Sequence, residues 1–212
     1  MVIFFLGTVV PLTVLIPIVL GIMHFKKLPF HLRVIVVFAL ISGITNGVSN
    51  LLADRGINNM PVFHVFALSE FILCSLFYKK TLASTKIEKV IVPMIFVFFV
   101  FAIASTILWQ GFLRFNSYTL SFETVVTIVY CLFLFYKLLG ANLPSLKENV
   151  ALIWINVGFL LYFSGSLFLF LFPEFLTAPQ WIYDIGWIIH AILVMVMYIF
   201  FSIAFIKYKA PK

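Results

Sequence analysis

The feature that most constrains this chain is a succession of seven long apolar segments that leaves almost no sequence for a soluble domain. The 212 residues are 64% hydrophobic and 10% charged, with a mean hydropathy of +1.20, whereas a soluble domain carries about 25% charged residues. Because a helix needs about 20 apolar residues to cross a hydrocarbon core, the sequence predicts an all-α integral membrane protein. The prediction is a single domain over 1–212, a bundle of seven transmembrane helices at about 4–23, 33–53, 61–79, 90–110, 116–138, 149–172 and 180–206.

The distribution of Lys and Arg predicts how this bundle lies in the membrane. Of the 14 basic residues, only Arg55 and Arg114 fall on one side of the predicted bundle, which leaves twelve on the other. Cytoplasmic loops of membrane proteins carry an excess of Lys and Arg, so we expect the N-terminus outside and the C-terminus in the cytoplasm. The same clustering explains the net charge of +7 without a nucleic-acid partner, because no basic helix is present to bind one.

An internal repeat is a further hypothesis about the architecture. Residues 28–43 align without gaps with residues 143–158, and both stretches open the second helix of a triplet. The alignment predicts a 3+1+3 pseudo-repeat, in which helices 1–3 and 5–7 are parallel copies and helix 4 is a linker. Parallel repeats of this kind occur in sugar-transporter-like proteins.

Two carboxylates lie well inside apolar segments, with no basic residue near them in sequence. They are Glu70 in the third predicted helix and Glu123 in the fifth, and His190 lies at a comparable depth in the last. A carboxylate at the bilayer centre costs roughly 2.5–3.5 kcal/mol even on the lenient insertion scale, so such residues usually face the bundle interior and have a function. Together with Asn46, these side chains predict a polar cavity inside the bundle that opens outward.

Polar residues at helical spacing extend the set of candidates. In the fifth predicted helix such residues recur at steps of three and four, which is typical of one helix face; they are Asn116, Thr119, Glu123, Thr127 and Tyr130. The predicted ligand-binding residues are Glu70, Glu123, His190, Asn46, Thr127, Tyr130, Asn156 and His64. The alternative for each is a structural role, in which the side chain is hydrogen-bonded to a neighbour. In the second helix Gly43 and Gly47 form a G-x-x-x-G pair, which permits close helix approach.

The sequence favours binding over catalysis. A retinal pigment needs a lysine in the middle of the last helix, and the first lysine there is Lys207, near its end, so neither retinal nor another cofactor is expected. No H-E-x-x-H or G-x-S-x-G motif is present, and we therefore predict no catalytic and no metal-ligating residues. Cys74 and Cys131 lie inside apolar segments and predict buried thiols rather than a disulfide.

Three functions fit these features. The leading prediction is a receptor-like membrane sensor, or a protein that binds a small molecule or a lipid in the cavity. The first alternative is a proton-coupled transporter of small solutes, because intramembrane carboxylates carry protons in transporters. The second is an intramembrane hydrolase, with or without a metal, in which carboxylates and histidines activate water. The expected partners are the lipid bilayer, a small-molecule or lipid ligand, and a cytoplasmic or membrane protein.

Four stretches of the sequence resemble a group of known membrane proteins. They are Pro61–His64 through Glu70–Leu73, Phe115–Tyr118 through Glu123, Trp154–Asn156 through Tyr162–Ser166, and Trp187–Ala191. These stretches resemble uncharacterised seven-helix integral membrane proteins of Bacteroidetes-type bacteria, some of which are similar to sensor modules of histidine kinases. The resemblance implies a sensor in a bacterial inner (cytoplasmic) membrane. Because the 212 residues contain no kinase module, a separate output partner is expected.

Overall fold

A computed structural model describes residues 9–140, 149–172 and 179–208, and within these ranges all regular secondary structure is helical. The first helix, α1, comprises Val10–Thr13 and Leu15–His24, followed by the 3-10 turn Phe25–Lys27. The remaining helices, α2 to α7, are Phe30–Asp54, Met60–Thr81, Glu88–Ser105, Ser117–Leu139, Val150–Leu171 and Gln180–Lys207. Seven helices of the described residues are long and apolar enough to cross a membrane, as predicted.

Proline and glycine set several of the helix ends. Pro29 is extended and stands directly before α2, so the helix begins at Phe30 rather than at the predicted residue 33. Pro61 occupies the first turn of α3, where its missing N–H removes no helical hydrogen bond. Helix α4 continues as a π-helical turn, Thr106–Gln110, and Gly111 ends it with φ +77°, a conformation that glycine adopts without strain.

Some predictions lie outside the described residues. They are the start of the first helix at residue 4, the predicted breaks between helices at 141–144 and 173–174, and the first residues of the second repeat copy, 143–148.

Six of the helices form a ring. In the order α1, α2, α3, α5, α6 and α7 each helix contacts the next, and α7 closes the ring on α1. Helix α4 contacts α3 and α5, which also contact each other directly, and its most apolar stretch has the smallest buried share of the seven, 22%. We therefore place α4 on the outside of the ring. That position fits a linker, and the pseudo-repeat stays a prediction.

Glycine residues on α6 allow this helix to pack closely against α7. A Cβ atom on Gly158 would lie 3.0 Å from Phe200 Cβ, and one on Gly165 would lie 2.5 Å from a methyl carbon of Leu193. Of the predicted pair in α2, Gly43 faces α1, but a Cβ on Gly47 would meet nothing within 4 Å. The packing prediction is therefore right for Gly43 and wrong for Gly47.

Candidate ligand-binding cavity

A cavity of about 360 Å³ lies inside the ring of helices. It is bounded mainly by the N-terminal halves of α3, α5 and α7 and the C-terminal halves of α2 and α6. We call this end of the bundle the cavity end. Its polar lining residues are Ser42, Thr45, Asn46, Glu70, Asn116 and His190, and its aromatic ones are Phe63, Phe66, Phe115, Tyr162, Phe170, Tyr183, Trp187 and Tyr198. Cavities of this size accommodate small organic ligands.

The structure brings three of the predicted ligand-binding residues together at this cavity. Glu70 from α3, His190 from α7 and Asn46 from α2 all line it. Glu70 is only 3% exposed, and it lies within electrostatic range of Tyr162 and Tyr198 on the opposite helices. One carboxyl group is thus set into an aromatic wall.

His190 has a fixed environment in the wall of the cavity. Its Nδ1 atom is 2.9 Å from Ser166 Oγ, at hydrogen-bonding distance. The rings of Trp187, Tyr162 and Phe170 surround the imidazole at centroid distances of 5.5, 5.6 and 5.7 Å. The hydrogen bond and the three rings hold the imidazole in one orientation.

Glu123 lies behind the cavity wall, so the prediction that it lines the cavity is wrong. It is fully buried, and neither carboxyl oxygen has a hydrogen-bond partner among the described residues. The face of α5 points inward as predicted, but the cavity extends along this helix only to Leu120. One turn further, Glu123 lies in the packed interior, within electrostatic range of Glu70.

Thr127 and Tyr130 continue the same face of α5 below Glu123 and also lie outside the cavity. Thr127 is fully buried and Tyr130 is 3% exposed. The Tyr130 hydroxyl lies near Ser75 Oγ but outside hydrogen-bond geometry, and neither oxygen has a partner among the described residues. The polar stripe is therefore confirmed as the buried face of α5. Of the residues in the stripe, only Asn116, at its N-terminal end, lines the cavity.

Asn156 is a structural residue rather than a lining residue. Its Oδ1 atom accepts a hydrogen bond of 2.8 Å from the Tyr78 hydroxyl, and its Nδ2 atom donates one of 3.0 Å to the Cys131 carbonyl oxygen. The side chain joins α6 to both α3 and α5 and is fully buried. Asn156 does not line the cavity as predicted, because α6 turns this residue toward its neighbouring helices. Both cysteines are free and buried, as predicted.

His64 also lies away from the cavity. Its Nε2 atom is 3.0 Å from the Arg114 carbonyl oxygen, and its Nδ1 atom is 3.3 Å from the Thr106 hydroxyl. The Phe112 ring covers the imidazole at 5.2 Å. His64 faces the separate groove between α3 and α4 because six residues on a helix rotate it about 120° from Glu70.

The aromatic wall is the part of the cavity that sequence reasoning missed. The predicted ligand-binding residues are mainly ionisable and amide side chains and do not include Tyr162, Tyr198 or Trp187, which line the cavity. The Trp187 indole nitrogen is buried and has no partner among the described residues. A signal was present in α7, since Trp187, His190, Val194 and Met197 recur at helical spacing and all line the cavity.

Below the cavity the bundle is closed by a cluster of four phenylalanines, Phe38, Phe77, Phe159 and Phe201. The ring of Phe159 contacts the other three at centroid distances of 5.5, 5.9 and 5.1 Å. All four side chains are at most 1% exposed, so this aromatic plug forms a packed floor on that side of the cavity.

The described part of the chain offers no metal centre. In residues 9–140, 149–172 and 179–208, no group of three or more His, Cys, Asp or Glu side chains is placed to hold a metal ion.

Comparison with known proteins gives no further assignment. No family model matches the chain, and no curated protein or solved structure matches it.

Proposed function

We propose that this protein binds a small molecule in the cavity between its helices and acts as a receptor-like membrane sensor. The observation that carries the proposal is the position of Glu70 and His190 in the wall of a concave, largely apolar cavity of about 360 Å³ that is rich in aromatic side chains. A few polar groups in a concave, apolar site are typical of ligand-binding sites, because the apolar wall supplies affinity and the polar groups supply specificity.

The closed floor favours a sensor. The aromatic plug packs between the cavity and the other end of the bundle, so we expect a ligand in the cavity not to pass through the ring. Binding there would act on the contacts between α7 and its neighbours α1 and α6. The output then passes to a separate membrane or cytoplasmic partner.

The charge distribution supports an outward-facing cavity in an inner membrane. Arg55 and Arg114 lie in the connections after α2 and α4, and these two connections meet through a hydrogen bond of 2.9 Å from Asn58 Nδ2 to the Leu113 carbonyl oxygen. The cavity end thus carries only Arg55 and Arg114 of the 14 Lys and Arg residues in the sequence, and the positive-inside rule assigns that end to the outside.

A cavity-filling variant tests the proposal. Ala191 lines the cavity and is 6% exposed, whereas its neighbour Ile192 is 47% exposed on the outer surface of the bundle. We expect Ala191→Phe to expel a bound small molecule and Ile192→Phe to retain it. Native mass spectrometry of the proteins purified in an uncharged detergent measures the bound mass.

Asn46→Phe provides a second filling variant, in case the buried position does not accept the larger ring. Equal bound mass in both filling variants and in Ile192→Phe would place the ligand elsewhere. A protein that carries no small molecule and binds none on addition would contradict the proposal.

Proton-coupled transport is the alternative that a specific observation favours. Glu70 and Glu123 lie within electrostatic range of each other, one in the cavity wall and one in the packed interior. Paired intramembrane carboxylates occur in proton relays. On this alternative, Glu123→Gln should abolish proton uptake into proteoliposomes along an imposed gradient, and the exposed Asp54→Asn should not. Absence of proton uptake in the wild-type protein would remove the alternative.

A further inference from the structure

The described lining of the cavity contains an acidic side chain but no Lys or Arg. Glu70 is the acidic residue among the described lining residues, and none of them is Lys or Arg. Glu123, which lies behind the wall within electrostatic range of Glu70, is a second acidic group. A ligand with a carboxylate or phosphate would meet these two carboxyls with no guanidinium or ammonium to bind it, so the lining disfavours anions.

Aromatic side chains supply a large part of the remaining wall. Tyr162 and Trp187 on α6 and α7 line the cavity with Tyr198, and Phe66 stands on α3 one turn before Glu70. The faces of such rings attract cations, and the attraction is stronger when the cation is desolvated. A ring of aromatic side chains beside a carboxyl is therefore suited to an ammonium group.

A cationic ligand would compensate the charge of Glu70 in its buried position. An ionised carboxyl in the membrane interior is unfavourable unless an opposite charge compensates it. The Nδ1 atom of His190 is at hydrogen-bonding distance from Ser166 Oγ and three aromatic rings surround the imidazole, so this nitrogen is not available to compensate Glu70. A cation in the cavity would reach Glu70 directly.

From these observations we infer that the cavity binds a small organic cation, an amine or a quaternary ammonium compound. Glu70 is its counter-ion, and Tyr162, Trp187 and Tyr198 form the wall around its charged group. This inference rests on the proposed function and names the ligand class for the same cavity.

Matched probes test the charge of the ligand without altering the protein. Choline and 3,3-dimethylbutan-1-ol share a shape and differ in charge, as phenethylamine and 2-phenylethanol nearly do, and phenylacetate is an anionic counterpart. Each is titrated into the full chain in dodecyl maltoside and sodium phosphate, because phosphatidylcholine and Tris would themselves supply an organic cation. Binding is measured as a shift of the thermal unfolding temperature, since a ligand of the folded state stabilises it.

We expect at least one cation to raise the unfolding temperature, and its uncharged analogue and the anion to do so only at concentrations at least about tenfold higher. Glu70→Gln keeps the size of the side chain and removes its charge, so it should weaken binding of the cation by about tenfold or more. Asp54→Asn removes an exposed carboxylate outside the cavity and should leave the affinity unchanged.

The outcomes separate this inference from the proposed function. If uncharged or anionic probes bind as well as the cations and Ala191→Phe prevents their binding, the ligand class is wrong and the small-molecule site stands. If no probe binds and no small molecule copurifies, both fall. Because the comparison of probes uses the wild-type chain, a folding defect of Glu70→Gln does not affect it.

Discussion

At the scale of single residues, Asn46 and Asn156 show how the same side chain takes two roles in one bundle. Asn46 lines the cavity, whereas Asn156 is fully buried and hydrogen-bonded through both its oxygen and its nitrogen. Sequence position does not separate them, because both are amides inside apolar helices. The partners available on neighbouring helices separate them.

This difference predicts that alanine lowers stability at position 156 and weakens ligand binding at position 46. Asn156→Ala removes the hydrogen bonds to the Tyr78 hydroxyl, which keeps Cys131 Sγ at 3.0 Å, and to the Cys131 carbonyl oxygen. Each lost hydrogen bond costs about 0.5–1.5 kcal/mol. We expect its unfolding temperature to fall by several degrees, measured by scanning fluorimetry in detergent. Asn46→Ala should retain its unfolding temperature and bind the cavity ligand more weakly. An Asn156→Ala protein as stable as the wild type would contradict the structural role.

The two glutamates mark the limit of prediction at this scale. The depth and inward direction of both followed from the sequence, because an apolar segment and a helical period fix them. The sequence does not show which of the two lines the cavity, because that depends on where α3, α5 and α6 pack against each other. Glu70 lies on the cavity side of that contact, and Glu123 lies in the packed interior beyond it.

At the scale of helices, the contact between α6 and α7 depends on glycine. Gly158 faces Phe200 Cβ and the Met197 carbonyl oxygen at 3.0 and 3.5 Å from the position of an added Cβ atom. Neither atom moves without a shift of the α7 backbone, unlike the end of a long side chain. The sequence predicts close packing at Gly43 and Gly47 rather than at Gly158. A G-x-x-x-G motif identifies small residues but not the helix that they face.

Alanine substitutions at two glycines test this contact. Gly158→Ala should separate α6 from α7 and lower the unfolding temperature, with a cost of about 1–3 kcal/mol, typical of overpacking. Gly47→Ala is the control, since nothing lies within 4 Å of the added methyl group. It should leave the unfolding temperature unchanged or raise it slightly, because alanine favours a helix over glycine by roughly 0.5–1 kcal/mol. Equal stability of the two variants would refute a close approach at Gly158.

At the scale of the whole molecule, hydropathy predicted the number of helices but not their neighbours. Each apolar segment is long enough to span a membrane, and that property belongs to the segment alone. The ring order, the outer position of α4 and the aromatic plug arise from side chains that meet across helices. The aromatic plug shows this most clearly, because Phe38 and Phe201 stand far apart in the chain and their rings lie 5.8 Å apart.

The orientation of the molecule decides which compartment supplies the ligand, and cysteine labelling tests it. Cys74 and Cys131 are free and buried, so the native chain should give little background. Ile57 is exposed in the connection at the cavity end, and Lys86 is exposed in the connection between α3 and α4 at the other. If the excess of Lys and Arg faces the cytoplasm, a membrane-impermeant maleimide should label Ile57→Cys in intact cells and Lys86→Cys only after the cells are opened. The reverse pattern would turn the cavity toward the cytoplasm and make its ligand an intracellular one, while every contact inside the bundle would stay as described.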